Sequence, residues 1–257
     1  MYKEHPAFKK PEDEDSKIWR YMDFTKFVSL LDSSALFFAR TDKLGDPFEG
    51  SYPKHSVKQR ATLHKRWLST LPTQLKEFFE QRPKAISEFY KSLRRCIFIN
   101  SWHENEHESD AMWKLYLKNN EGIAIQSTFS RLRDCFGNET PDVYIGSVRY
   151  IDYLKDAISE ENLFNPFLRK RKSFEHEREV RAIVFAYDKI EDGMPNLPPP
   201  AFPTGMPVLV DLDKLIDRIY LAPTSPKWLH ELIDSVLRKY NLRLKVFQTS
   251  LTHRPSF

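Results

Sequence analysis

The chain has 257 residues, of which 40% are hydrophobic, 30% charged and 14% aromatic, a composition typical of a globular protein rather than a disordered one. Its net charge of +4 is mild, its 7 glycines form no glycine-rich phosphate-binding loop, and its 2 cysteines supply neither a disulfide framework nor a zinc site. The sequence has no signal core and no apolar run long enough to cross a membrane. We therefore expect a cytoplasmic protein with free thiols and no membrane partner.

The first 16 residues are polar and contain proline, and we expect a loose arm ahead of a single domain at residues 17–257. In the first half of that domain, apolar runs predict strands and apolar residues at helical spacing predict helices. The predicted strands cover residues 17–21, 35–39 and 96–100, and the predicted helices cover residues 23–31, 57–68, 72–79 and 84–93. A glycine–proline break at residues 44–50 follows the second strand.

The third strand leads into a polar stretch, residues 101–110, that we expect to be a loop before a short capped helix. Further strands are predicted at residues 123–127, 143–153, 180–187, 208–211, 216–221 and 242–247, helices at residues 162–174 and 226–240, and a proline-rich surface loop at residues 191–207. Helices concentrate early and strands are dispersed. This order predicts a single α+β domain with a mixed or split central β-sheet and helices largely from the N-terminal half.

The most unusual segment begins at Glu175 and runs directly into an apolar strand. Side chains alternate between the two faces of an extended chain, so Glu175, Glu177, Glu179 and Arg181 would share one face. Carboxylates held where a central strand enters a sheet can have shifted pKa values and can act as an acid, a base or a stabiliser of positive charge. The alternative is a solvated strand end whose glutamates pair with Arg181 or Lys170.

Two further segments contain candidate binding residues. Arg20 lies between aromatic residues on the first predicted strand, where its guanidinium could hold a phosphate or carboxylate through two hydrogen bonds. The alternative is an edge strand with a solvated arginine. Ser101 and Trp102 stand directly after a buried strand, at a place where rigid sheets often present functional loops.

The histidine-containing loop after residue 100 supports a different hypothesis, a metal-dependent nuclease. His103 and His107 are four residues apart, which is a metal-binding spacing only on a helix, and this stretch predicts a loop. The carboxylates that would add oxygen ligands are Glu104, Glu106, Glu108 and Asp110. The alternative is a hydrated loop, since the spacing matches no defined metal motif, and we expect no metal cofactor.

A third hypothesis is a non-catalytic binding module for nucleic acid or another acidic partner. The basic clusters at residues 169–172 and 94–95 would make the contacts, and the affinity would fall steeply with salt. The alternative for such short clusters is a solvated helix face.

Taken together, the motifs resemble the bacterial domain of unknown function 2971 family over roughly residues 17–250. The residues that match are Trp19-Arg20-Tyr21, Gly45 to Gly50, Ser101-Trp102, Met112-Trp113 with Tyr116, Gly122-Ile123, Lys170, Phe174, Glu177, Glu179 and Arg181. Gly45 stands where the family usually has Asn, and Phe174 where it usually has Trp. The family itself implies no function.

The order of an arginine on a first strand, a serine on a middle strand and a glutamate on a later strand is also similar to ADP-ribosyltransferases, which bind NAD in a split sheet. This resemblance implies that Arg20 holds a phosphate or ribose of NAD and that Ser101 supports the nicotinamide ribose. It implies that Glu177 or Glu179 binds a ribose hydroxyl and stabilises the oxocarbenium ion as nicotinamide leaves. The remaining candidate cofactor-binding residues are Tyr21, Trp102 and Trp113, whose rings would stack on NAD, and Arg181.

The function that this resemblance implies is an ADP-ribosyltransferase or NAD glycohydrolase, of the kind found among bacterial toxins and antiphage effectors. NAD would be the substrate, and the acceptor would be a macromolecule of unknown identity, with nucleic acid among the candidates.

Overall fold

The fold is built around one large β-sheet. The computed structural model describes residues 1–116, 120–187, 190–191, 194–195, 203–249 and 251. The strands are β1 (Lys17–Asp23), β2 (Ala35–Arg40), β3 (Ile97–Glu104), β4 (Gly122–Thr128), β5 (Val143–Ser147), β6 (Arg149–Ile151), β7 (Arg169–Arg171), β8 (Glu179–Phe185), β9 (Ile190–Glu191), β10 (Met194–Pro195), β11 (Gly205–Leu209), β12 (Arg218–Leu221) and β13 (Lys245–Gln248). The helices are α1 (Phe24–Ser33), α2 (Lys54–Ser69), α3 (Thr73–Phe79), α4 (Arg82–Leu93), α5 (Asp110–Tyr116), α6 (Phe129–Asp134), α7 (Leu212–Leu215) and α8 (Lys227–Lys239).

The large sheet has nine strands, and β3 is its branching point. One path runs β11-β2-β3-β1-β4-β12-β13, while β8 pairs with β3 and carries β5 on its other side. The pairs are antiparallel except for β12 with β13, which are parallel. The predicted α+β class with a mixed sheet is therefore confirmed.

The sheet is split where β1 and β2 both reach β3. Strand β2 pairs with β3 at residues 98–99, and β1 pairs with it at residues 103–104. Side chains bridge the gap between them: Asn100 Nδ2 donates to Phe37 O at 2.9 Å, and Arg20 Nη1 donates to Ser101 O at 2.7 Å. Because buried backbone carbonyls need donors, these two side chains stabilise the split.

The sheet separates two apolar cores. The larger core packs α1, α6, α7 and α8 against one face, and it includes Val180 and Ala182 of β8. A smaller core on the opposite face includes Ile183 together with residues of β3 and the end of α4. Alternation along β8 therefore places Glu179 and Arg181 on the face of the smaller core.

Helix α1 shows how local sequence determines the elements around the split. Asp23 caps its start by accepting a hydrogen bond from Lys26 N, and Ser34, with φ of 46°, ends it in the left-handed region. Its apolar residues Phe27, Leu30 and Leu31 are buried against the sheet, as the helical spacing predicts.

Residues 1–16, predicted as a loose arm, pack against the sheet. The Met1 ammonium donates to Thr140 O at 2.9 Å, Tyr2 forms a parallel bridge with Val143 of β5, and Phe8 is buried in the smaller core. An aromatic contact explains why these residues pack against the sheet. Phe8 stacks on Tyr144 of β5, with ring centroids 5.5 Å apart.

Further predicted elements differ in the structure. Residues 101–104 continue strand β3 instead of forming a loop, because they pair with β8 and β1. Residues 162–174 do not form the predicted helix, since the 3₁₀ turns Asn165–Leu168 and Lys172–Glu177 flank β7 there. The first of these turns is enough to bury its own apolar side chains. The predicted strand at Glu175 begins only at Glu179, because the chain turns at Arg178, whose φ is 39°.

The proline-rich stretch at residues 191–207 is only partly described. Residues 192–193 and 196–202 lie outside the described residues, while Gly205–Leu209 forms β11, an edge strand paired with β2. Among the described helices, none has the length and apolar character needed to cross a membrane.

Candidate active site

A cavity of about 620 Å³ lies at the split in the sheet. Its walls come from β1, β2, β3 and β8, from α1 and α5, and from the segments around Glu49 and Lys170. Arg20 shares a strand face with apolar residues of the larger core, whereas Glu179 and Arg181 lie on the opposite face. The split thus lets one cavity reach side chains from both faces, and its size falls within the roughly 300–1,000 Å³ of small-molecule sites.

A buried ionic cluster forms one wall of the cavity, with Arg181 at its centre. Arg181 is 1% exposed and donates to both oxygens of Glu49, over 2.8 and 2.9 Å. Its Nε donates to Glu179 Oε2 at 2.5 Å, and Nη1 also donates to Phe167 O at 2.7 Å. These paired, charge-assisted bonds compensate the cost of burying the guanidinium.

Lys170 joins the two glutamates singled out from the sequence. Its Nζ donates to Glu177 Oε2 and to Glu179 Oε1, each at 2.7 Å, and lies 3.5 Å from Glu49 Oε1. Strand β7 brings Lys170 there, and Nζ also lies 4.7 Å from the centre of the Phe174 ring. The buried ammonium group of Lys170 thus holds both carboxylates close together.

The pKa values of the two carboxyl groups are shifted in opposite directions. Burial, together with the neighbouring Glu179, raises the pKa of Glu177 to about 7. Burial alone would also raise the pKa of Glu179, but Arg181, Glu177 and Lys170 together lower it well below its usual range. Among the described residues Glu179 touches two cations and Glu177 only one, so Glu177 is the carboxylate that takes up a proton first as the pH falls.

The segment between β2 and α2 places Glu49 beneath Arg181. Asp46 Oδ1 accepts a hydrogen bond from Phe48 N at 3.1 Å, an Asx turn that starts the bend. Gly50, with φ of 67°, ends it, and a side chain there would collide with the Phe167 ring. The predicted glycine–proline break is therefore a turn that positions an ionic residue.

Arg20 is the cation of the cavity that has no carboxylate within ion-pair distance among the described residues. Its Nη1 bonds to Ser101 O, and its guanidinium carbon lies 6.0 Å from the centre of the Trp102 ring. Burial lowers the pKa of Arg20 to about 10, so the guanidinium stays charged at neutral pH. A half-buried, uncompensated cation of this kind suits an anionic ligand.

The other candidate residues occupy different positions relative to the cavity. Tyr21, Ser101 and Trp102 line it, although Trp102 is buried and donates from Nε1 to Asn100 Oδ1 at 2.8 Å. Trp113 is not among the lining residues: it is buried in a small aromatic cluster and donates to Glu108 Oε2 at 3.0 Å. Trp113 packs edge-on against the ring of Tyr21, with ring centroids 4.9 Å apart, and so holds Tyr21 in place.

His103 also lines the cavity, as a residue of β3 rather than of a loop. Its Nδ1 bonds to the backbone oxygen of Glu177 at 2.7 Å, and Nε2 is buried without a hydrogen-bond partner among the described residues. His107, by contrast, is exposed on the loop that follows. In the described part of the chain, no three His, Cys, Asp or Glu side chains gather as metal ligands, so the nuclease hypothesis lacks the cluster on which it depends.

The predicted basic patch at residues 169–172 is divided by the fold. Lys170 is buried in the ionic cluster, and Arg171 donates to both oxygens of Asp46, over 2.9 and 3.0 Å, beside the rings of Phe48 and Phe174. Two of the four basic residues are therefore ion-paired, Lys170 in the cavity wall and Arg171 with the buried Asp46.

No local pattern in the sequence assigns Glu49, Lys170 and His103 to one site, and His103 is predicted only as a metal ligand of the nuclease hypothesis. Glu49 lies in a segment predicted as a turn, and Lys170 is predicted as a pairing partner of the glutamates or as part of the basic cluster at residues 169–172. One local feature indicates a role for Glu49. The turn between Gly45 and Gly50 contains two acidic residues, and Asp46 alone is enough to start it. The three residues meet only in the fold: pairing of β3 with β8 sets His103 opposite Glu179, Lys170 reaches Glu179 from β7, and Arg181 binds Glu49 of the turn after β2.

Solved structures similar to this chain include three of Thermus sp. 2.9 DarT. The complex with NAD+ has 9% identity and a TM-score of 0.41 and covers 96% of this chain and 100% of that chain. The complex with ADP-ribosylated ssDNA has 9% identity and a TM-score of 0.42, with 96% and 99% covered, and the complex with carba-NAD+ has 8% and 0.40, with 94% and 100% covered. At these values the likeness supports no inference about activity, which rests on the site itself.

Neither a protein-family model nor a curated protein matches the chain. The resemblance to the domain of unknown function 2971 family therefore stays a prediction from the sequence.

Proposed function

We propose that this protein cleaves the bond between ribose and nicotinamide in NAD, as an ADP-ribosyltransferase or NAD glycohydrolase. The observation that carries the proposal is the convergence of an uncompensated cation, Arg20, and a carboxylate pair, Glu177 and Glu179, on one cavity. The first suits a phosphate, and the second suits a reaction that develops positive charge and then moves a proton. The choice of NAD among phosphate-bearing ligands comes from the Arg–Ser–Glu order in the sequence.

The reaction needs two things from the protein. The glycosidic C–N bond breaks, its electron pair neutralises the pyridinium nitrogen of nicotinamide, and the ribose carbon becomes an oxocarbenium ion. An oxygen or nitrogen nucleophile of water or a macromolecule then attacks that carbon and loses a proton. A fixed carboxylate lowers the barrier to the first event, and a base with a pKa near the working pH serves the second.

Glu177 fits these tasks better than Glu179. The charge of Glu179 is offset by Arg181 and Lys170, so little of it remains to act on a ligand. Glu177 has one cationic partner and a pKa of about 7, so near neutral pH it can take up and release a proton. We therefore assign proton transfer to Glu177, and we assign to Glu179 the positioning of Lys170.

The aromatic residues of the cavity complete the proposed ligand site. Tyr21 and Tyr116 line the cavity, and the centre of the Trp102 ring lies 6.0 Å from the guanidinium carbon of Arg20. Rings of this kind can pack against the flat nicotinamide or adenine ring. The cytoplasmic location and a role as a toxin or antiphage effector stay predictions from the sequence.

Nicotinamide release from NAD by the purified protein tests the proposal. Glu177→Gln should reduce the rate by about 100-fold or more, the usual contribution of a positioned acid or base. Glu175→Gln is the matched control, because Glu175 lies on the same 3₁₀ turn but is exposed, and its rate should be unchanged. Absence of NAD binding and of turnover with protein and nucleic-acid acceptors would refute the proposal.

A further inference from the structure

A buried imidazole nitrogen in the cavity wall has no assigned task. His103 is 4% exposed and lines the cavity, and in the part of the chain that the structure describes its buried Nε2 has no hydrogen-bond partner. Buried polar atoms are nearly always paired, so an orphan in the wall of a ligand-sized cavity needs an explanation. The proposed function does not use this atom.

The hydrogen bond at the other ring nitrogen fixes the chemistry of Nε2. The partner of Nδ1 is the backbone carbonyl of Glu177, at 2.7 Å, and a carbonyl oxygen can only accept. Nδ1 therefore carries the proton. Burial lowers the pKa of His103, which favours the neutral ring. In a neutral ring protonated at Nδ1, Nε2 is a hydrogen-bond acceptor and cannot donate.

The orientation of this acceptor is well fixed. His103 is a residue of β3, held between β8 and β1, and the Tyr21 ring packs beside it with centroids 6.3 Å apart. The carbonyl that holds Nδ1 belongs to Glu177, so the imidazole and the proton-transferring carboxylate are fixed to each other. A ligand group that meets Nε2 would thereby be placed relative to Glu177.

We propose that His103 Nε2 accepts a hydrogen bond from an N–H or O–H group of the ligand in this cavity, and that His103 is a specificity-determining residue. The inference rests on the proposed function, since NAD supplies the probes. Near its reacting bond NAD offers two sources of such a donor, the carboxamide N–H₂ of nicotinamide and the hydroxyl groups of the adjoining ribose. A ligand lacking the right donor would leave the buried acceptor unpaired and would bind more weakly.

Two analogues distinguish the sources. One is acetylpyridine adenine dinucleotide, in which a methyl ketone replaces the carboxamide, and the other is NAD that lacks the 2′-hydroxyl of the nicotinamide ribose. Binding is measured by calorimetry in a Glu177→Gln background, so that the ligands stay intact. With His103 present, one analogue should bind about tenfold more weakly than NAD, the cost of one unmade buried hydrogen bond. With His103→Phe added, that difference should disappear.

A second measurement needs no substitution of His103. In protein carrying ¹⁵N-labelled histidine, the unprotonated Nε2 resonance of His103 should move upfield when NAD is added, as an accepting nitrogen does. Two results would overturn the inference and leave the proposed function intact. One is that the loss of affinity of each analogue, relative to NAD, is the same with and without His103. The other is an Nε2 resonance that NAD leaves unchanged. Absence of any NAD binding to the unsubstituted protein would instead overturn both.

Discussion

Glu49 and Arg181, which are 132 residues apart in the chain, form a buried ion pair of two parallel hydrogen bonds, 2.8 and 2.9 Å long. The pair ties the turn after β2 to the centre of β8, and Arg181 extends it to Glu179. One wall of the cavity is therefore formed by buried side chains whose opposite charges are paired. Removing one of these side chains should lower the free energy of unfolding, because the remaining charges would be buried without their partner.

Arg181→Met should lower the free energy of unfolding by about 3–5 kcal/mol, because it leaves Glu49 and Glu179 buried without their main cation. Urea denaturation measures this change. Lys114→Met is the control, because the Lys114–Asp110 ion pair is an exposed contact one helical turn apart. Such pairs contribute only about 0.2–0.5 kcal/mol. Similar losses in the two variants would show that the buried pair contributes little net stability.

The raised pKa of Glu177 predicts a pH dependence of stability. The ordinary value is 4.5 and the folded-state value is about 7, so the folded chain binds this proton more tightly than the unfolded chain. The contribution of Glu177 to stability is therefore complete below pH 4.5 and is lost as the pH rises to about 7. Glu177→Gln, which resembles the protonated form, should gain stability relative to the unsubstituted protein across this window.

Urea denaturation at a series of pH values checks this prediction. The difference in unfolding free energy between Glu177→Gln and the unsubstituted protein should grow between pH 4.5 and about 7 and stay constant above it. Glu175→Gln, on the same turn but exposed, should show no such growth. A difference that is independent of pH would mean that folding does not raise the pKa of Glu177.

The elements of the fold could be predicted where the signal is local. The apolar spacing of α1 and the apolar run of β3 identify their type because burial of one face or both faces determines those patterns. The 3₁₀ turns on either side of β7 could not be predicted, because tertiary contacts bury Phe164, Phe167 and Leu168, whose i, i+3, i+4 spacing also suits a helix.

The candidate site could be predicted in part, for a related reason. Glu177 and Glu179 attract attention because charge next to an apolar strand is unusual, and both line the cavity. The expected shared strand face with Glu175 was wrong, since the chain turns at Arg178. The partnership of Glu49 with Arg181 depends on a turn and a strand that meet only in three dimensions, and no local pattern encodes it.

Arg20 supplies a prediction about ligand binding that is independent of catalysis. Its guanidinium has no carboxylate partner among the described side chains, so its charge is available to a phosphate. Arg20→Gln should weaken the binding of NAD, or of ADP as a simpler diphosphate probe, by roughly 10- to 100-fold, the equivalent of one or two charge-assisted hydrogen bonds. Arg20→Lys should recover part of the affinity, because it restores the charge but not the planar fork.

Arg171→Gln is the matched control for this experiment. Arg171 also lies beside the cavity wall, but Asp46 neutralises it through two hydrogen bonds, so its removal should change the affinity for the diphosphate little. Calorimetry on both variants, with thermal denaturation to show that each is folded, gives the comparison. Equal weakening would point to a general loss of positive potential around the cavity, whereas weakening confined to Arg20 would place the phosphate at the split in the sheet.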